Sequence, residues 1–287
     1  MSWFLLALGS AFCVATSDYL IKRHFSDRPT PELVLLRWAG MVPASLVILA
    51  VHPWPRVGPE FWPTIGLILP AEVIATFLYL RAIQVSPLAL TQPFLAFTPL
   101  FALLSGWLIL GELPNGPGLV GVLLLAAGAY GLNLHQVRRG WKGPLWAIAR
   151  EPGSWMMLIV GAIYAYTAVM GRRAILAADP WFMAGVYPLA VGGAVALVLL
   201  VSGRLTWGWL RRPWPALAVS LSVSGLLLGH VLAISLVQAA YMLSVKRTSL
   251  LFAMLYGGLL LGEERLGQHL LAGLLLVAGS AIILLWG

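Results

Sequence analysis

LFALLSGWLILGELPNGPGLVGVLLLAAGAYGLNL, residues 100–134, occurs twice in this chain. Moved forward by 151 positions, it lies without a gap on LFAMLYGGLLLGEERLGQHLLAGLLLVAGSAIILL, residues 251–285, with 17 identities in 35 pairs. Leucines in apolar helices match by chance. The ordered pairs Gly111/Gly262, Glu112/Glu263, Gly116/Gly267 and Gly128/Gly279 do not, and they mark one unit duplicated. Each copy is an apolar run, a Gly-Glu turn and a second apolar run. A carboxylate is costly in hydrocarbon, so the turn marks where the chain re-enters the interface, with Glu112 and Glu263 expected to stay solvated.

The rest of the chain extends the same pattern. Of 287 residues, 60% are hydrophobic and 10% charged, which is not the composition of a soluble domain. A span needs roughly 20 apolar residues, and breakers divide the sequence into ten helices, about 3–22, 31–51, 61–84, 87–110, 115–134, 153–175, 180–201, 213–237, 244–261 and 267–286. The alternation of a membrane β-barrel is absent, so the fold class is an all-α integral membrane protein. Residues 1–134 form the first five-helix repeat, 135–152 a basic, Trp-rich connector and 153–287 the second repeat. Five is odd, so consecutive units sit upside down to each other. The expectation is an inverted repeat about an axis in the membrane plane.

The net charge of +8 does not point to nucleic acid. The basic residues sit in short loops, where they act as topology signals and contact anionic headgroups. Twelve Lys and Arg fall on the side of the loops after helices 1, 3, 5, 7 and 9, against five on the side with both termini. That count places the termini outside. The start, MSWFLLALGS, has no Lys or Arg before its apolar run, so the first segment reads as a retained span rather than a signal peptide. One cysteine, Cys13, excludes an intrachain disulfide. No metal set, P-loop, cofactor fingerprint or catalytic cluster appears, so neither an enzyme nor an ATP-driven pump is expected, and no cofactor is.

YLRAIQVSPLALTQPFLAFTPLFALLSGWLILGE and its partner AAYMLSVKRTSLLFAMLYGGLLLGEE resemble the drug/metabolite transporter superfamily, in its ten-helix EamA-like branch. The likeness covers helices 3–5 and 8–10; the Trp usual in mid-helix 1 is missing. The resemblance implies a transporter with a central cavity, in a family whose members export amino acids, drugs and other metabolites or exchange phosphorylated sugars. It also implies termini in the cytoplasm, against the charge count.

Ionisable groups inside spans are expensive and functional by default. Asp18 and Arg37 flank the turn between helices 1 and 2 at nearly equal distances, so they share a depth and should pair. Glu72, in mid-helix 3 just after Pro70, could hold a proton or a cationic group of a substrate. His230, in mid-helix 8, corresponds to Tyr79 at the 151 step and could relay protons. Helix 4 carries Pro87, Pro93 and Pro99 together with Thr91, Gln92 and Thr98; proline-broken helices line transport sites. Tyr164 and Tyr187 complete the candidate substrate or coupling-ion set, against the alternative that such aromatics only pack. Glycines on helices 5 and 10 permit close packing, within a monomer rather than across a dimer.

These readings converge on a multi-pass protein of a bacterial inner membrane, working in a lipid bilayer as a monomer on a small-molecule substrate. Its expected function is secondary transport, chiefly export, of a small polar metabolite such as an amino acid, by alternating access with possible proton coupling. The alternative is a flippase of the same fold for a lipid or lipid-linked molecule.

Overall fold

A computed structural model describes residues 2–86, 92–131, 152–260 and 270–286. Every regular element in it is helical: α1 (Ser2–Phe25), α2 (Thr30–Ala39), α3 (Val42–Val51), α4 (Phe61–Val85), a 3₁₀ turn (Gln92–Phe97), α5 (Thr98–Leu110), α6 (Gly116–Gly131), α7 (Pro152–Leu176), α8 (Pro180–Val201), a 3₁₀ turn (Gly208–Arg211), α9 (Pro213–Leu236), α10 (Ala239–Lys246), α11 (Ser249–Leu260) and α12 (Leu270–Trp286). The connector 135–151, Glu263 with Gly262 and Gly267, and Pro87 and Thr91 lie outside the described residues.

Among the described residues, six stretches are long and apolar enough to cross a membrane: α1, Thr30–Val51 (α2 with α3), α4, α7, α8 and α9. The sequence suggests ten. The other four fall on either side of the Gly-Glu turns, next to residues outside the description, and two of them are interrupted for identifiable reasons. Pro93 and Pro99 each remove a helix donor, and residues 92–97 tighten into a 3₁₀ turn before α5 begins. α5 ends at Gly111, whose φ of 66° is open to glycine at no steric cost; its N–H and that of Glu112 turn back to the carbonyls of Trp107 and Gly106. The expected helix 9, 244–261, begins earlier than expected and is split between Lys246 and Ser249. The expected helix 2 is also split, at Gly40–Met41. Pro43 has no N–H for the carbonyl of Ala39, and a Cβ on Gly40 would lie 3.0 Å from Ser220 Cα of α9.

Helix bounds recur at the 151-residue step. Ser2–Phe25 is matched by Pro152–Leu176, Thr30–Val51 by Pro180–Val201, Phe61–Val85 by Pro213–Leu236, and Thr98–Leu110 by Ser249–Leu260. Packing recurs crosswise: α1 lies along α9 and α4 along α7, while α3 packs on α8 and α6 on α12. Close backbone approach holds the last pair. A Cβ on Gly121 would stand 2.9 Å from the Gly279 carbonyl, and one on Gly279 2.7 Å from the Gly121 carbonyl. These two glycines are thus used within the chain.

Polar ties sort the loops to two ends. α4, 25 residues and so about 37 Å long, separates them. At its C-terminal end Gln84 Nε2 donates to the Arg28 carbonyl (2.7 Å), and Arg212 grips both oxygens of Asp27 (2.7 and 3.0 Å). At its N-terminal end Glu60 accepts from Arg173 (2.9 and 3.0 Å). α1 therefore finishes at the Asp27 end, while α7, its counterpart in the second unit, finishes at the opposite end. Near Arg173, Arg172 Nε donates to Glu112 (2.8 Å). Glu112 is therefore ion-paired and only 21% exposed in its side chain, not simply solvated: the guanidinium supplies the compensation that water was expected to supply. Outward-facing side chains such as Leu46, Val47, Leu67, Ile74, Leu197 and Leu221 are apolar and exposed, the surface of a protein whose solvent is lipid.

Candidate functional site

The helix interruptions surround a cavity of about 140 Å³ between the two units. One water needs on the order of 10–15 Å³ of such space, so the cavity has room for a small metabolite. Asp18 and Val14 from α1, Arg37 from α2, Glu72 and Tyr79 from α4, Tyr164 and Thr167 from α7, Tyr187 from α8, His230 from α9 and Lys246 at the end of α10 all face it.

Asp18 and Arg37 meet as matched depth requires, Nη1 to Oδ1 3.4 Å, with both residues buried. Tyr79 hydroxyl donates to the other oxygen of Asp18, and the Arg37 guanidinium stands 5.1 Å from the centre of the Tyr79 ring. Neutralisation by a partner is what allows charge this deep.

Glu72 lies in the middle of α4, which runs unbroken through Pro70. Its side chain lines the cavity together with Thr167 and Tyr187, so an α4 carboxylate shares that space with hydroxyls of α7 and α8. Trp38 joins α4 to α8: its Nε1 donates to Thr76 Oγ1 (3.3 Å), and its ring meets the Tyr187 ring edge-on at 5.9 Å. Tyr164 packs against Tyr79 at 6.1 Å. Seven of the eight candidate residues thus border one cavity. The eighth, Gln92, opens the 3₁₀ turn, and its side chain lies outside the described part of the structure.

His230 Nδ1 is 3.0 Å from Lys246 Nζ. With Lys246 as an ammonium, which has donors only, the imidazole Nδ1 accepts and the ring proton sits on Nε2. Lys246 and its neighbour Arg247 fall at the start of the expected helix 9, 244–261, and were legible as charge but not as site residues, because the charge count assigns them to the loop side. They lie instead at the split between α10 and α11, against the cavity. A signal was available: at the 151 step they replace Leu95 and Ala96, and two cations in place of two apolar residues is not how a packed repeat drifts. Taking them out of the loops widens the charge asymmetry between the two sides.

Three comparisons bear on this site. Residues 1–134 match the EamA-like transporter family, a family of membrane transporters of the drug/metabolite type rather than enzymes. No curated protein matches the sequence. A solved crystal structure is similar over 98% of this chain and 95% of its own, with a TM-score of 0.71 at 18% identity; at that identity it shows the fold alone. The chain is a multi-pass membrane protein whose residues 1–134 carry the EamA-like pattern.

Proposed function

We propose that this EamA-like protein is a secondary transporter that carries a small polar metabolite outward by alternating access. Ten spans, in two five-helix units inverted about the central cavity, make up the moving parts of this reading. The observation that carries it is the cavity itself. Ionisable side chains from both units, Asp18, Arg37 and Glu72 on one side and His230 and Lys246 on the other, converge where helices of both units are interrupted. Interrupted backbone at membrane depth is tolerated where it lines a cavity, and repeat-built transporters place substrate there. The crosswise packing of α1 on α9 and α4 on α7 supports the motion, since exchanging the conformations of the two units exchanges the open face.

Glu72 is the coupling or orienting group in this reading, because it shares the cavity with hydroxyls that move with α7 and α8 when one unit rocks on the other. The test is flux into proteoliposomes for a panel of amino acids, amines, organic acids and sugar phosphates, run with and without a pH gradient. Glu72→Gln keeps the shape and the hydrogen-bonding groups, so it should fold and insert while flux falls about tenfold or more. Normal flux in Glu72→Gln, with an unchanged response to the gradient, removes Glu72 from the mechanism. Flux of a short-chain lipid but of no soluble solute would replace the metabolite reading with the flippase one.

A further inference from the structure

The cavity holds more positive than negative side chains. Arg37, Lys246 and Arg247 face two carboxylates, Asp18 and Glu72. Asp18 is committed to Arg37 and Tyr79, and among the described residues Glu72 is ion-paired to none of the three cations. Among the described residues neither Lys246 nor Arg247 forms an ion pair. Lys246 spends one of its three donors on His230. Arg247 is 7% exposed, and its Nε is buried with no hydrogen-bond partner. A guanidinium has five donors and no acceptor, and burying one without a counter-charge is strongly unfavourable. A purely structural arginine at this depth would have a carboxylate or a carbonyl to bond. Arg247 instead borders the open space of the cavity.

The backbone adds to the same spot. Between α10 and α11 the chain tightens into i to i−3 bonds, Thr248 to Val245 (3.0 Å), Leu250 to Arg247 (3.0 Å) and Leu251 to Thr248 (2.9 Å). α11 then starts at Ser249, which also borders the cavity. The positive end of a helix macrodipole therefore lies beside the two cations, and the Thr248 hydroxyl is buried there without a partner. In the first unit the corresponding turn, Gln92–Phe97, carries Leu95 and Ala96, so the two sides of the cavity are chemically unequal.

We infer that Lys246, Arg247 and the start of α11 form an oxyanion subsite, and that the transported solute carries a carboxylate or phosphate group that docks there. This rests on the transporter reading for its purpose but not for its existence. A planar guanidinium fits two oxygens of one such group, and the ammonium a third. The solute then supplies the counter-charge that the protein withholds, and its polar remainder lies toward Glu72 and Tyr187.

The experiment is thermal unfolding of the full-length protein in uncharged detergent, with phosphate, succinate, dioctanoyl phosphatidate, methylammonium and glucose as probes at matched ionic strength. Phosphate or succinate should raise the unfolding midpoint saturably, and methylammonium and glucose should not. Stabilisation by the lipid phosphate alone would keep the subsite and identify a lipid headgroup as its source. The decisive arm is Arg247→Gln. Because Arg247 is buried without a counter-charge, its removal should leave the unliganded midpoint equal or higher, while the anion-induced shift disappears. Lys246→Gln should weaken the anion shift at least tenfold in half-saturating concentration. A lowered unliganded midpoint in Arg247→Gln, or an anion shift that survives it, overturns the inference, as does stabilisation by methylammonium in place of the anions. Anion binding without flux in proteoliposomes would sink the transporter reading and leave the subsite standing. Flux without anion binding would do the reverse.

Discussion

Removing one member of the Asp18–Arg37 pair tests how the protein carries charge in its interior. At 3.4 Å and an effective dielectric constant near 20, two unit charges attract by about 5 kcal/mol. Desolvation has already consumed much of that, so the pair adds little net stability, but breaking it strands a buried charge at a cost of about 3–5 kcal/mol. The two single variants should not be equal. In Arg37→Gln, Asp18 keeps the Tyr79 hydroxyl, a bond to a charged group worth about 1.5–3 kcal/mol. In Asp18→Asn, Arg37 keeps the Tyr79 ring face at 5.1 Å, a weaker contact worth about 0.5–2 kcal/mol. Arg37→Gln should therefore lose about 3 kcal/mol and Asp18→Asn about 4–5 kcal/mol. The double variant should lose no more than the worse single one, a coupling of about 3 kcal/mol. Reversible unfolding of the purified protein in mixed micelles, over the four-membered cycle, measures this. Losses that add to within about 0.5 kcal/mol would refute the pairing.

Two further outcomes follow from the packing and the loop ties. Gly121→Leu must push α6 off α12, since even a Cβ would meet the Gly279 carbonyl at 2.9 Å. It should cost about 1–3 kcal/mol, whereas Gly66→Ala on α4, with nothing within 4 Å of the added carbon, should be neutral or stabilising by up to about 1 kcal/mol; equal midpoints for the two variants would count against the close crossing. At the Asp27 end, the hydrogen bond from Arg212 holds the Asp27 carboxyl below its ordinary value of 3.8. A depressed carboxyl contributes stability above the ordinary value and loses it as pH falls through the lower, folded one. The gap in unfolding midpoint between wild type and Asp27→Asn should thus be constant above pH 3.8 and close below it, and a gap still unchanged at about pH 2 would break the argument.

The sequence by itself determined the class. Composition demanded membrane helices, because a chain this apolar can satisfy its backbone in lipid only within helices or a closed barrel. The repeat of residues 100–134 at 251–285 is also legible there, because glycine and glutamate at matched turns do not recur by composition. Hairpin arithmetic brought Asp18 to Arg37, since rise per residue in a helix is constant and depth can be counted from the turn. What lies across the cavity could not be counted in that way. The meeting of Glu72 with Thr167 and Tyr187 at one cavity joins residues far apart in the chain, on helices whose rotation only packing sets. The place of Lys246 and Arg247 is the clearest case. The expected helix 9 contains them, but a lone cation in hydrocarbon is unfavourable, so the charge count took them for the loop side. Only the tertiary structure, by splitting α10 from α11 beside a cavity, supplied the space that lets those two charges stay inside.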